Sequence, residues 1–553
     1  MSPVRPTVFE ANGFAGFRDV PGPGDFVYWM ENFRFEEPGS PKSALVARGP
    51  WVRLAVTAIG TPSYGAGPYH TGGIHEFIKN DGTAKVVLIS GGKFYTYDAS
   101  TITESLTAAN LSAASVTLGS QGIVYMATFN NQVVVSDGVN TPWMWDGTLN
   151  GGITKLTNAP VAYGPPAVYY AKLFFIKNTD RATIVWSEEN QANTGYEAGG
   201  YNNAWTLLQS GSEGLVALQG TNEALHYWRY TGHGAVRGAV TSTFTTTGTH
   251  DEGSEEVGLL SGSAMTLAAG SIWFADQVGR PWRRAGSRLE PLWSGQLDRT
   301  FGEQIGIAPY AVGEFTPSVT PGVPSIEVVY QPGHNAVAFI YKTATSSAST
   351  ALLFDAESGR LIEVAKWGAS ASVGTARVGS YQKLRNSARE TGLIAITHGS
   401  RAAVLYDMGS GIQVGLLDQL DTSGTTAYTP LVIGPQYGHA PGVTFHVDEA
   451  LVISESGAVG GQITSGSMTC TFDYLTSVAY TSTLMATAAT DTVSSGESGN
   501  MTDRQHRFGL DGYGRWVAPR VQLGVSFTSG TIGRLALKSW ALFCYPERDP
   551  RAR

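Results

Sequence analysis

One histidine-containing cluster and a few scattered carboxylates are the residues of this chain that could do chemistry. His250, Asp251 and Glu252 are consecutive, and Glu255 and Glu256 follow closely. Imidazole and carboxylate groups are ligands for divalent metals. This cluster lies in a Gly- and Thr-rich stretch, so we expect a solvated acidic loop and no metal site.

A second chemistry, glycoside hydrolysis, would need two carboxylates facing each other across a sugar. Asp276, Asp355, Asp407 and Glu327 are the candidates. The aspartates recur at equivalent positions just after a β-type run, where an Asp side chain hydrogen-bonds the backbone of its own turn. The chain also lacks the common phosphate-loop, zinc-protease and serine-hydrolase motifs. We therefore expect no enzyme, no catalytic residue and no cofactor.

A third set of residues combines arginine with tryptophan. Arg280, Arg283 and Arg284 flank Trp282, and Trp205 lies in a separate segment. Arginine beside an aromatic ring can stack on bases or sugars. Because the net charge is −8, a strand edge or a subunit contact is the better interpretation. These five residues are candidates for an interface or a channel lining.

Short β-strands must position all these residues, because one strand–turn–strand pattern returns along the chain. The runs at 86–98, 133–138, 352–359 and 403–409 are β-rich and contain Gly, Asn or Asp where they end. Such residues encode tight hairpins. Imperfect repetition of one hairpin unit predicts an all-β chain that contains a β-propeller of six to eight blades.

Three regions follow from this pattern. Residues 1–72 are Pro- and Gly-punctuated and predict an extended N-terminal arm that wraps a neighbour or closes the ring of blades. Residues 73–420 carry the repeats and predict the propeller. Residues 421–553 have longer alternating strands and predict a C-terminal β-sandwich-like domain. Within the propeller, 188–212 and 240–258 are expected to be loops that project from one rim.

Composition favours a subunit of an assembly. The chain has 553 residues with 68 Gly and 11% aromatic residues, but charged residues are only 15%, against about 25% in an average soluble protein. A net charge of −8 argues against general nucleic-acid binding. It permits a weakly acidic channel through which DNA slides, because such a wall makes few Lys- or Arg-phosphate contacts.

Cysteine content and hydropathy indicate a protein made in a reducing cytoplasm without membrane insertion. Cys470 and Cys544 are too few for a disulfide framework, and we expect free thiols. The start of the chain has no signal-peptide core, and no run approaches the ~20 apolar residues that a membrane helix needs.

The most specific segment of the chain is 137–147, DGVNTPWMWDG. It is similar to a DGxNxPxxWDG segment of the β-propeller tail nozzle (tail tubular) proteins of short-tailed bacteriophages, and several other segments, in their order along the chain, resemble those proteins as well. Residues 31–34 (ENFR) with 47–51 (ARGPW) resemble the family's opening, and 74–98 resembles its first blade. Residues 184–188, 211–229 and 270–279 resemble later blades. The resemblance covers about 30–420.

This resemblance implies a structural virion protein. Six copies would form a ring on the tail axis, with an adaptor above and a needle or fibres below. Viral DNA would pass through the common channel without specific binding. The chain would be synthesised in the host cytoplasm and localise to the virion tail.

Two other functions remain open on the sequence. A receptor- or glycan-binding tail propeller would expose aromatic residues on one rim, and 188–212 contains Tyr196, Tyr201 and Trp205. A polysaccharide-degrading enzyme would need an inward-facing carboxylate pair.

Overall fold

The computed structural model describes most of the propeller region and a set of strands on either side of it. The described residues are 6–12, 14, 16–17, 26–27, 29–37, 40, 42–48, 51–53, 73–90, 92–97, 101–118, 124–207, 213–238, 249–252, 257–292, 326–331, 335–342, 349–367, 376–380, 393–397, 405–408, 417–418, 426–427, 430–434, 437–438, 443–458, 465–475, 489–494, 501–514, 516–529 and 532–548. Nearly all regular structure in them is β-strand.

The arm contains short strands, β1 to β7. They lie at Thr7–Ala11, Gly16–Phe17, Phe26–Val27, Trp29–Glu31, Phe33–Phe35, Leu45–Ala47 and Trp51–Arg53.

Blades 1 to 3 are antiparallel sheets that follow one another in the chain. Blade 1 (β8–β11) has strands Gly73–Ile78, Ala84–Ser90, Lys93–Tyr97 and Ile102–Leu106. A helix, α1, follows at Ala108–Ala113. Blade 2 (β12–β15) has Tyr125–Phe129, Gln132–Ser136, Trp143–Trp145 and Ile153–Lys155. Blade 3 (β16–β20) has Ala162–Tyr169, Lys172–Lys177, Thr183–Glu188, Gln191–Gly195 and Ala204–Thr206.

Blades 4 to 7 repeat the arrangement. Blade 4 (β21–β24) has Leu215–Gly220, Ala224–Arg229, His233–Arg237 and Thr249–Glu252. Blade 5 (β25–β28) has Met265–Ala268, Ser271–Ala275, Pro281–Ala285 and Arg288–Pro291. Blade 6 (β29–β32) has Glu327–Gln331, Ala336–Lys342, Ser349–Asp355 and Leu361–Trp367. Blade 7 (β33–β35) has Ala376–Ser380, Leu393–Thr397 and Leu405–Met408.

The described residues thus form a seven-bladed β-propeller, within the expected range of six to eight. The innermost strand of blade 7 contacts that of blade 1, which closes the ring. Arm strand β7 pairs with β35, Trp51 opposite Met408, and so supplies the fourth strand of blade 7. The arm was expected to wrap a neighbour or to close the ring, and in this structure β7 closes it.

Blade strands are continuous apolar runs because both faces of each blade pack against neighbouring blades. Val133, Val134 and Val135 are all buried, for example, in the second strand of blade 2. Tryptophan side chains contribute to the blade cores: the fully buried ones include Trp143, Trp145, Trp186, Trp228 and Trp273.

The segments expected to be projecting loops contribute strands as well. In 188–212, β19 and β20 both pair with β18 of blade 3. In 240–258, β24 pairs with β23 of blade 4. The expectation was wrong at these strands because the antiparallel partners satisfy backbone groups that composition alone suggested were solvated.

The C-terminal region contains strands β36 to β45, and five of them, β40, β41, β43, β44 and β45, are longer than any blade strand. In chain order, β36 to β45 lie at Leu417–Asp418, Thr426–Ala427, Leu431–Ile433, Tyr437–Gly438, Val443–Ala458, Ser465–Leu475, Ala489–Ser494, Met501–Gly514, Trp516–Ser529 and Ile532–Arg548. One sheet has the order β6-β45-β40-β43, with β1 also on β45, and a second has β4-β38-β44-β41-β42. Residues from both sheets, including Cys470, Phe472, Trp540 and Cys544, belong to one buried cluster.

Candidate functional site

Arm strand β5 joins the propeller to the C-terminal sheets. On one side it pairs with β32, the outer strand of blade 6, with Phe33 opposite Val364. On its other side β5 pairs with β6, and β6 pairs with β45 through Leu45 opposite Leu537. One sheet therefore runs from the innermost strand of blade 6 into the C-terminal region.

Asn32 and Arg48 hold this junction in place. Asn32 donates its backbone N–H to the carbonyl oxygen of Val364 at 2.7 Å. Arg48 donates its backbone N–H to the Asn32 carbonyl at 3.0 Å and its side-chain Nε–H to Asn32 Oδ1 at 2.8 Å. Both side chains are buried, with 4% of Asn32 and 5% of Arg48 exposed. Asn32 has a φ of 59°, a conformation that Asn tolerates better than most residues. Residues 32–34 and residues 47–48 therefore meet in space.

The aspartates that end β-runs cap their own turns, as expected from the sequence. Asp276 Oδ1 accepts from the backbone N–H groups of Val278 at 3.0 Å and Arg280 at 2.8 Å. Asp355 Oδ1 accepts from the N–H of Ser358 at 2.6 Å. The side chain of Asp407 lies outside the described residues.

Arg280 and Trp282, two members of the arginine–tryptophan set, both hydrogen-bond to Asp276. Trp282 donates its indole Nε1–H to Asp276 Oδ2 at 2.8 Å, while the side chain of Arg280 is exposed. Burial raises the pKa of Asp276, and the hydrogen bonds from Arg280, Trp282 and Val278 oppose that rise. Trp282 thus makes this hydrogen bond within blade 5.

Arg283 connects blade 5 to blade 6. Its Nη2 donates to Glu290 Oε2 at 2.6 Å, and its Nη1 donates to the carbonyl oxygen of Glu357 in blade 6 at 2.8 Å. Its guanidinium carbon is 5.3 Å from the ring centroid of Trp273. Arg284, the next residue on the strand, is 4% exposed and lines a cavity shared with blade 4.

Trp205 packs between blades 3 and 4. It lies on strand β20 of blade 3, where it pairs with Ile184 of β18. Its ring centroid lies 6.0 Å from that of Tyr227 in blade 4. The site candidates Trp205, Arg283 and Arg284 therefore all lie where blades of the same chain meet.

The innermost strands of blades 1 to 6 enclose a central cavity of about 550 Å³. Its polar lining residues include His75, Glu76, Thr128, Gln219 and Glu327, and no Lys or Arg is among the described lining residues. This volume is in the range of small-molecule pockets, roughly 300–1,000 Å³.

His75 is neutral in this cavity at neutral pH. Its Nε2 lies 2.8 Å from Thr128 Oγ1 of blade 2. Burial lowers the pKa of His75 to about 4. Glu76 and Glu327 are the acidic residues of the described lining.

The structure describes only part of the His250–Glu256 cluster. Its first three residues lie on the backbone of β24, but their side chains, and residues 253–256, are outside the described part of the chain. Among the side chains that are described, no group of three or more His, Cys, Asp and Glu could hold a metal ion. Within the same part of the chain, no helix has the length and hydropathy to cross a membrane.

The sequence did not reveal the Asn32–Arg48–Val364 junction or the polar residues of the central cavity. A signal for the first was present, because Asn32 and Arg48 both lie in the segments that resemble the nozzle opening. The cavity residues carry no common motif.

These features define the chain as an all-β protein with a β-propeller fold. No protein-family model and no curated protein sequence matches it. Solved structures similar to it include BamB from Moraxella catarrhalis (11% identity, 66% of this chain and 99% of that one, TM-score 0.33). The Neurospora crassa Pan2 WD40 domain is also similar (9%, 66% and 97%, 0.36). A third is BBS1N in complex with ARL6DN (10%, 66% and 98%, 0.36).

Proposed function

We propose that this protein is a structural subunit of a bacteriophage tail, a nozzle or hub that forms part of the DNA ejection channel. It links an adaptor region above to distal tail parts, the needle or fibres, below. It is made in the host cytoplasm and assembled into the virion as a ring of six copies. It has no enzymatic activity.

The observation that carries this proposal is the junction at Asn32, Arg48 and Val364. It makes one sheet continuous from blade 6 through the arm to the C-terminal strands. A tail component must keep its parts in fixed relation while neighbouring proteins dock on both ends. The segments that resemble the nozzle opening are the ones that build this junction.

The proposed absence of catalysis has its own support. Asp276 and Asp355, the described aspartates among the carboxylate candidates, use a side-chain oxygen to hold their own turns. A carboxylate engaged in this way is a poor general acid or nucleophile, because catalysis needs it within reach of a substrate. The third described candidate, Glu327, lies 2% exposed in the wall of the central cavity.

DNA passage is proposed for the space between copies. The cavity inside one propeller is about 550 Å³, the size of a small-molecule pocket. A duplex therefore needs a wider channel that several subunits enclose together.

The test is the assembly state of the purified full chain, by native mass spectrometry and negative-stain electron microscopy. A closed ring of six copies supports the proposal. A monomer at every concentration tested contradicts it.

A receptor- or glycan-binding propeller is the second candidate, favoured by two exposed aromatic residues. Tyr170 is 53% exposed in the turn between β16 and β17, and Tyr201 is 42% exposed in the segment between β19 and β20. Tyr196, in contrast, is fully buried. A glycan array that binds the wild type but not Tyr170→Ala or Tyr201→Ala would favour this candidate.

A further inference from the structure

A second cavity, of about 240 Å³, lies between blades 4 and 5. Blade 4 contributes the turn at 221–223 and His226, while blade 5 contributes Arg284 and the turns at Gly270 and Gly286. A Cβ at either of these glycines would meet no atom within 4 Å. The two turns therefore leave open space beside the cavity.

His226 is buried in this wall with one ring nitrogen unused. The residue is 5% exposed, and its Nε2 lies 3.4 Å from Thr221 Oγ1. Its Nδ1 has no hydrogen-bond partner among the described residues. A buried polar atom without a partner costs about 1–3 kcal/mol and calls for an explanation, such as a missing ligand.

Two arginines and a second histidine lie near this nitrogen. Arg284 is 4% exposed, and its Nε donates to the Gly286 carbonyl at 3.1 Å, which fixes the guanidinium beside the cavity. Arg237 and His233, on the adjacent strand of blade 4, also face His226. Glu223 is the acidic residue of the described lining, and it lies 3.6 Å from Arg237 with 71% of its side chain exposed.

An anion in this cavity should change the pKa of His226. Burial first, then Arg284, Arg237 and His233, lower the pKa of His226 to about 3. An anion beside it would oppose the effect of the arginines and accept a hydrogen bond from Nδ1–H. Binding of an anion should therefore be accompanied by proton uptake and become tighter as the pH falls.

We propose that this cavity binds one small inorganic oxyanion, of the size of phosphate or sulfate, between Arg284 and Nδ1–H of His226. Its volume of about 240 Å³ accommodates such an ion with a few waters, each of which occupies about 30 Å³ in the liquid. The buried position of both side chains excludes a phosphate group within a nucleic-acid backbone.

The experiment is isothermal titration of the full chain with sodium phosphate and with sodium sulfate, at constant ionic strength kept with sodium chloride. Titration in two buffers of different ionisation enthalpy measures proton uptake. His226→Gln should weaken phosphate binding by about 10- to 100-fold, as expected for a lost hydrogen bond to a charged group. It should also abolish the proton uptake.

Two further variants separate binding from folding effects. Glu223→Gln removes an exposed opposing charge and should tighten binding by about two- to fivefold. Lys93→Gln removes an exposed cation on blade 1, 50% exposed and paired with Glu104, and should leave it unchanged.

Saturable phosphate binding with these responses supports the site. Absence of saturable binding, equal affinity of wild type and His226→Gln, or competition by a short oligonucleotide overturns it. If His226→Gln fails to fold, a weaker affinity of Glu223→Gln overturns it as well.

Discussion

Asn32 of the N-terminal arm donates its backbone N–H to the carbonyl oxygen of Val364 in blade 6 at 2.7 Å. This bond places the arm against the outer edge of a blade. The same arm closes blade 7 through Trp51 and pairs with the last strand of the chain through Leu45. A single segment near the N-terminus thus ties together parts of the chain that are far apart in sequence.

Arg48→Met should destabilise this junction. The substitution keeps much of the side-chain volume but removes the donor at 2.8 Å from buried Asn32 Oδ1. An acceptor left buried without this donor costs about 1–3 kcal/mol in the free energy of unfolding. Urea unfolding measures the loss, and hydrogen exchange should accelerate at the amide of Asn32. Arg288→Met, on an exposed position of blade 5, should stay within about 0.5 kcal/mol of wild type. Equal stability of the two variants would show that Arg48 does not hold the junction.

Asp276→Ala should lower the free energy of unfolding by about 2–4 kcal/mol, because it removes the acceptor for two backbone N–H groups and the Trp282 indole. Asp276→Asn should lose less, since Oδ1 is kept for the backbone donors. Asp448→Ala, an exposed strand position, is the control, measured by the same chemical unfolding. Wild-type stability of Asp276→Ala would contradict the capping role.

Acid should destabilise the protein before its carboxylates titrate. Burial lowers the pKa of His75 to about 4, of His226 to about 3 and of His233 to about 4. In the unfolded chain these histidines take up a proton near pH 6.5. The unfolded state therefore binds more protons as the pH falls from about 6.5 to 4, and stability decreases, on the order of 1–3 kcal/mol per residue.

Urea midpoints between about pH 7 and pH 5 measure this decrease, and His75→Gln should reduce its slope by about one proton. A midpoint that rises with acidification would contradict the assignment of these histidines as neutral.

Neither cysteine should react in the folded protein. Cys470 and Cys544 are separate buried thiols, and burial raises the pKa of Cys544 to about 12. The thiolate is the reactive form, so a thiol reagent should label both residues only in denaturant. Rapid labelling of the native chain at neutral pH would show that the C-terminal sheets open readily.

Duplex DNA should not bind tightly. The chain carries a net charge of −8. DNA affinity depends on Lys and Arg neutralising phosphates, so gel shifts at about 0.15 M salt should show no saturable complex. A tight complex whose affinity falls steeply with added salt would overturn passage without specific binding.

Local sequence signals predicted the propeller, but they did not predict which distant strands pair. The turns at Asp276 and Asp355 were predicted, because an Asx cap needs only neighbours in the chain. The partners of the arm, Val364 for Asn32 and Leu537 for Leu45, leave no local signal. Trp205 was a candidate for an interface or a channel lining, and its contact with Tyr227 of blade 4 left no local signal in the sequence.

The cavity between blades 4 and 5 could not be predicted from the sequence for the same reason. His226 and Arg284 lie on different blades, and each is unremarkable within its own strand. Their significance depends on how two blades pack, which period-two alternation does not encode.

Immunogold electron microscopy of phage particles, with antibody against this chain, tests the central claim most directly. The account predicts label on the tail axis, at a ring visible in averaged images. Label on peripheral fibres or spikes, or particles that carry none of the chain, would contradict it.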